Sequence, residues 1–224
     1  MNQYLKWSRA FLNLVAIPLI LIGCTLSIEA QKSQQSGMTA DRLLSLGDFY
    51  LKNDDITDAA DRYYKQVINN FPGTRHAGVA QFNRGSYWQK KFYILREKGS
   101  ANSRDAQAAL VEAEGQYYDF IDKFADTTNT TDLLADAAFN LALVYLQKNN
   151  SAYAVGWLNR MLKTITSRDG QVYIYRVVWS SNPADVVDRN VDSTALANFT
   201  RASIGSGLTV DQVFSQVKQW CRKQ

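Results

Sequence analysis

Leu46-Gly47-Asp48-Phe49-Tyr50, followed by the polar turn Lys52-Asn53-Asp54-Asp55 and then by Ala59 and Tyr63, is the stretch on which the fold turns. It recurs. Thr39–Ile68 aligns with Leu134–Lys163 at a shift of 95 residues without a gap. Ala40/Ala135, Asp41/Asp136, Leu46/Leu141, Tyr50/Tyr145, Leu51/Leu146 and Ala59/Ala154 are identical, Gly47 faces Ala142, and Tyr63 faces Leu158. The spacing predicts a helical hairpin. A small residue lets the second helix approach the first, and a Tyr one turn on fills the hairpin core. Ala at the start of the second helix marks the other side of the contact, with a large residue four later on the same face. The Asn/Asp-rich turns, Asp54/Asp55 in one copy and Asn149/Asn150 in the other, suit a chain reversal.

A further copy is split. Phe82-Asn83-Arg84-Gly85-Ser86-Tyr87-Trp88 repeats the first helix, and Ala113-Glu114-Gly115-Gln116-Tyr117-Tyr118-Asp119-Phe120-Ile121 echoes Ala60 to Ile68. Gly47 to Gly85 is 38 residues, whereas Tyr64 to Tyr117 is 53; the difference of 15 predicts an insertion, placed in the polar stretch 91–105. Three hairpins are expected, over 39–71, 77–124 and 132–165. A plain amphipathic bundle is the simpler alternative.

This pattern resembles the tetratricopeptide repeat, whose signature runs Leu-Gly-x-x-Tyr, then Ala-x-x-x-Phe, then Pro. Here Pro72 comes one residue late and Leu43 stands where a Trp is usual. The resemblance implies an all-α, TPR-like α-solenoid over residues 39–165. It also implies a concave groove lined by the first helix of each hairpin. Outward positions on those helices would be Asp48, Lys52, Phe82, Asn83, Gln89, Lys90, Phe139, Asn140, Leu143 and Gln147. Asn83 and Asn140 share a local context; they either bond the backbone of an extended peptide or are simply hydrated.

Residues 166–224 depart from the repeat. Gln171–Trp179 is β-branched and aromatic, which suits a strand, but no second convincing strand offers itself. The first helix of a degenerate fourth hairpin is the alternative. Ser193–Arg201 has a short helical pattern that Gly205-Ser206-Gly207 interrupts. Thr209-x-x-Gln212 resembles a capping box opening a last helix, with Val210, Val213, Phe214, Val217, Trp220 and Cys221 on one face. That helix is expected to cap the solenoid.

Upstream, Lys6 and Arg9 precede an apolar run from Ala10 to Gly23 that ends at Cys24. Its 14 residues would span roughly 21 Å as a helix, short of a bilayer core of about 30 Å. Leu21-Ile22-Gly23-Cys24 resembles the bacterial lipobox. The resemblance implies a signal peptide over 1–23, lipidation of Cys24, a tether over 24–38, and attachment at the periplasmic face of the outer membrane. Cleavage after Ala30, giving a soluble periplasmic or secreted protein, and an uncleaved anchor are the other readings.

Composition narrows the functions. The chain has 224 residues, 46% hydrophobic and 21% charged, with 3 Pro and 12 Gly, as a helical globular protein has. One His and two Cys leave no room for a Cys/His zinc site, and His76 alone would have to serve any His-dependent triad. The acidic pairs Asp54/Asp55 and Glu112/Glu114 read as solvated faces. No enzyme, metal or cofactor is implied. Net charge is +4, and +2 without residues 1–23, with interspersed signs that do not suit nucleic acid. The whole resembles tetratricopeptide-repeat lipoproteins of the bacterial cell envelope. That implies a scaffold for a protein or peptide partner, or else capture of a peptide or cell-wall fragment as a free ligand.

Overall fold

Eight α-helices carry almost all of the regular structure in a computed structural model that describes residues 38–53, 57–100, 102–166, 174–179 and 187–224. They are α1 (Ala40–Asn53), α2 (Ala59–Asn70), α3 (Arg75–Leu95), α4 (Arg104–Asp119), α5 (Leu134–Gln147), α6 (Ser151–Thr166), α7 (Ser193–Gly205) and α8 (Val210–Lys223). The all-α class stands. Two compact units divide the chain, Met1–Arg42 and Leu43–Gln224. Of the first, residues 38–42 are described, and there Thr39 Oγ1 accepts from the Arg42 amide at 3.3 Å. The predicted signal peptide, Cys24 and the Asp54/Asp55 pair lie outside the described residues.

Within Leu43–Gln224 the hairpins form where the spacing predicts, and small residues set how closely their helices approach. A Cβ added to Gly85 would lie 2.6 Å from the Tyr117 ring, and Gly47 is covered in the same way by Tyr64. Each tyrosine is fully buried, and its hydroxyl bonds the residue after the glycine. Tyr64 donates to Asp48 at 2.8 Å, and the Tyr117 hydroxyl meets that of Ser86 at 3.2 Å. In the third hairpin the corresponding positions are Ala142, Leu143 and Leu158, all buried and all apolar. An aromatic hydroxyl and its polar partner occur together in two copies, and leucines replace both in the third.

The buried face of the second helices corrects the predicted register. Ala60-Tyr64-Val67, Ala113-Tyr117-Phe120 and Ala154-Leu158-Met161 are all buried, each at spacings of four and three. Leu158 therefore corresponds to Tyr64. Tyr63 is half-exposed and stacks on Tyr50 with ring centroids 5.5 Å apart. The third hairpin is one residue shorter between its small residue and its large one, so the gapless alignment slips at the turn.

The insertion is also placed differently. Residues 91–95 continue α3 as buried or half-buried helix, including Phe92 and Ile94, and α4 begins two turns before Ala113. The extra residues lengthen both arms of the second hairpin instead of forming a polar loop. The reversal comes at Gly99, whose φ of +77° suits a residue without a Cβ. Ser103 then caps α4 by accepting from the Ala106 amide at 3.2 Å. The turn after the second hairpin folds back on the start of α3, where Arg75 donates to the Asn129 carbonyl at 2.7 Å and to Asp132 at 2.8 Å.

Ile174–Trp179 is a strand, β1, and it has a partner: β2 (Val187–Asp192) pairs antiparallel, with Ile174 opposite Asp192 and Trp179 opposite Val187. The partner escapes a sequence reading because Val-Asp-Arg-Asn-Val-Asp offers two apolar residues in six. A two-stranded ribbon is marginal alone, but β2 packs against α7 and α8, with Val191 buried. The capping box of α8 has both its bonds, Gln212 amide to Thr209 Oγ1 at 3.3 Å and Thr209 amide to Gln212 Oε1 at 2.9 Å. Val213, Val217 and Cys221 face the core, which runs on from the third hairpin. Among the described residues, no helix is long and apolar enough to cross a membrane.

Candidate functional site

The ten positions predicted to line a groove have mostly been taken up by contacts between helices. Asp48 and Lys52 are exposed. Asp48 accepts from Asn83 at 2.9 Å, which fastens α3 to α1, and Lys90 donates to the Leu51 carbonyl at 2.6 Å, satisfying the C-terminal end of α1. Phe82 sits between Tyr117 and Phe120, with centroids 5.7 and 5.6 Å away. Gln89 is buried and accepts from Tyr117 at 2.9 Å. Gln147 accepts from Arg96 at 2.9 Å.

Phe139, Asn140 and Leu143 are buried and present nothing outward, a correction to the expected groove. The cause is that α5 is enclosed on every side: each residue from Ala137 to Leu146 is buried. Its sequence carries the signal, because Leu134–Gln147 holds a single charge, Asp136, and a helix apolar all round belongs in a core. Asn83 and Asn140, matched by context, have different surroundings.

An exposed aromatic shelf that the sequence reading missed lies on the second helices of the middle and third hairpins. Tyr118 on α4 is 37% exposed and Tyr153 on α6 is 58% exposed. Behind them, Tyr145 stacks on Tyr153 at 5.1 Å, Trp157 meets Tyr118 edge to face at 5.4 Å, and the Tyr118 and Tyr145 hydroxyls are 3.0 Å apart. Glu114, paired with Lys148, also bonds the Tyr145 hydroxyl. Burial first, and then that carboxylate, push the Tyr145 phenol well above its ordinary value. Glu114 is thus engaged, not a solvated surface acid. The signal that would have found the shelf is position: Tyr118 follows the buried Tyr117, and Tyr153 precedes the buried Ala154.

A polar seam joins α2 to α3. Asp61, 3% exposed, is held by Arg84 at 2.8 Å and Lys65 at 2.7 Å. Asp58 accepts from Tyr87 at 2.8 Å and from Lys91 at 3.1 Å, and those two bonds, Tyr87's first, hold its carboxyl below the usual range. Lys91 also lies 4.7 Å from the centre of the Trp88 ring. These groups clamp one hairpin to the next. His76 lies half-buried in the first turn of α3, and among the described residues no three His, Cys, Asp or Glu side chains come together as a metal site would require. Cys221 is fully buried, and burial raises its thiol to about 11. Set against known proteins, the chain matches no family model, no curated protein and no solved structure.

Proposed function

We propose that this chain is a non-enzymatic scaffold: a stack of tetratricopeptide-like hairpins, lipid-tethered at Cys24 to the periplasmic face of an outer membrane, that holds a protein partner in a cell-envelope assembly. The observation that carries the reading is the repeated wedge. Gly47, Asp48 and Tyr64 in one hairpin and Gly85, Ser86 and Tyr117 in the next make the same close approach and the same hydroxyl bond. Units that bury one face against the next form stacks, and stacks serve chiefly as platforms. The Asp48–Asn83 and Asp61–Arg84 bonds support that order of packing. In this reading α8 closes the far end. The lipobox-like Leu21-Ile22-Gly23-Cys24 supports the tether.

The partner surface follows from what is left open. With Phe139, Asn140 and Leu143 enclosed, the aromatic shelf of Tyr118 and Tyr153 takes their place as the docking surface, with Asp48 and Lys52 on the first helix. Exposed tyrosine faces are also what a sugar ring stacks on, which is the observation favouring capture of a cell-wall fragment as the second reading. Crosslinking in native membranes followed by purification separates the two. The scaffold reading expects a defined protein complex that Tyr118→Ala with Tyr153→Ala disperses. A monomer carrying a glycan or short peptide would replace it with the capture reading. Mass spectrometry of the exported chain tests the tether, since a free N-terminus at Gln31 would remove it.

A further inference from the structure

The outward side of α6 and α7 is basic. These two helices pack side by side and between them contain three cations, Arg160, Lys163 and Arg201, and no acid. All three side chains are exposed. Five cations elsewhere are matched by acids: Arg75 to Asp132, Arg84 to Asp61, Lys91 to Asp58, Arg96 to Asp211, and Lys148 to Glu114. None of the three on α6 and α7 makes an ion pair among the described residues. Arg201 donates to a neutral amide, Asn159 on α6, at 3.0 Å, and Arg160 and Lys163 follow on the same helix. Arg160 also spreads over Trp157 at 4.9 Å.

The neighbours on this face are small or aromatic. Along α6 the outward positions are Tyr153, Gly156, Arg160 and Lys163, one helical stripe at spacings of three and four. A Cβ added to Gly156 would meet nothing within 4 Å, so no packing within the fold calls for a glycine there. On α7 the outward residues beside Arg201 are Asn198 and Ala202. The two described concavities lie elsewhere, one on α8 around Asp211 and Gln212, the other around Phe92, Gln147 and Asp211. The surface is therefore basic and edged by a phenol. The sequence reinforces its sign, with nine Lys or Arg against five Asp from Ser151 onward.

We infer that this face is where the folded body lies against a bilayer containing anionic phospholipid. Charge complementarity names the occupant. Unpaired Arg and Lys attract acidic headgroups at roughly 1 kcal/mol each, and Tyr settles at the headgroup level. A plane of headgroups needs only an exposed basic surface and no pocket to receive an anchoring side chain. The contact does not depend on lipidation at Cys24; it would orient the body whether or not the chain is tethered.

The test is flotation of the full chain, made in a cell-free system without lipid attachment, with two kinds of vesicle: phosphatidylcholine alone and phosphatidylcholine mixed with phosphatidylglycerol. All variants carry the same N-terminal segment, so their differences report the folded body. The wild-type chain should favour the anionic vesicles, less so in high salt. Arg160→Gln with Lys163→Gln and Arg201→Gln should cut that partition by about a hundredfold, the result of losing three headgroup attractions at a factor of ten per 1.4 kcal/mol. Arg160→Lys with Arg201→Lys keeps the charge and should bind as wild type, which separates loss of charge from loss of folding. If the triple Gln variant keeps its anionic preference with an unchanged melting curve, the proposal is overturned. It is also overturned if that variant floats normally but loses an acidic protein from native membranes, which would make the face a protein-docking surface.

Discussion

Gly85→Ala tests the wedge on which the architecture rests. The new methyl carbon would lie 2.6 Å from two atoms of the Tyr117 ring and 2.8 Å from a third, where carbon atoms prefer about 3.5–4.0 Å. The ring cannot step aside, because it is fully buried and its hydroxyl is fixed by Gln89 at 2.9 Å and Ser86 at 3.2 Å. Overpacking of this kind costs typically 1–3 kcal/mol, and Ala returns about 1 kcal/mol in helix propensity. The expected net loss is up to about 2 kcal/mol, or a midpoint lowered by up to roughly 8 °C for a chain of this size. Gly115→Ala and Gly156→Ala are the internal controls. Both glycines lie within helices and an added Cβ would meet nothing, so each substitution should stabilise by about 0.5–1 kcal/mol. Thermal and urea unfolding of the three variants, followed by helical circular dichroism, reads the signs directly. If Gly85→Ala raises the midpoint as the controls do, Tyr117 does not sit on Gly85 and the wedge fails.

Three further expectations follow from the polar seam and the terminal helix. Arg84→Met leaves Asp61 buried with Lys65 as its remaining cation and should cost about 1–3 kcal/mol, read by urea titration; no loss would mean that Asp61 is hydrated. The Asp58 carboxyl is depressed chiefly by its bond from Tyr87. Its stabilising contribution is therefore present above the ordinary value of 3.8 and is lost as pH falls through the lower folded value, and Tyr87→Phe should move its titration upward in side-chain NMR. Cys221 has the opposite sign. With its thiol raised to about 11 from an ordinary 9.0, the folded state keeps a proton that the unfolded state gives up, so stability falls as pH rises beyond 9.0. Alkylation of Cys221 at pH 8 should be slow in the native chain and fast in urea, and equal rates would show the thiol exposed.

Helix pairing was legible because it depends on small residues at fixed distances from large ones, and those distances survive as text. Gly47 and Gly85 could be read as contact points before any coordinate. The second-helix register was not legible. A turn shortened by one residue leaves Ala59/Ala154 an attractive identity, although Ala60 is the alanine four before Tyr64, as Ala154 is four before Leu158. The long arm of α3 was hidden by Lys90, Lys91, Glu97 and Lys98, which look like a loop although Phe92 and Ile94 between them are buried. Gln89, Phe139, Asn140 and Leu143 turned inward for a different reason: outwardness depends on what packs next to a helix, and periodicity along one helix carries no record of its neighbours. The shelf tyrosines have the same letter as buried ones, and only their positions beside Tyr117 and Ala154 mark them as outward.

The lengthened arm of the middle hairpin reaches helix α8: Arg96 pairs with Asp211, 115 residues further along, and the Tyr93 ring meets that of Phe214 at 6.1 Å. A closure over so long a separation comes late, because its entropy must be met before the contact rewards it. During synthesis the early hairpins therefore wait with one flank uncovered until the 14-residue α8 emerges. A chain that stops short of Val210 would keep that flank, including Tyr93 and Leu95, bare for good, and bare apolar flanks aggregate. Quality control over this fold thus extends to α8: a chain released from the ribosome before that helix is made is visibly defective, not a slightly shorter working copy.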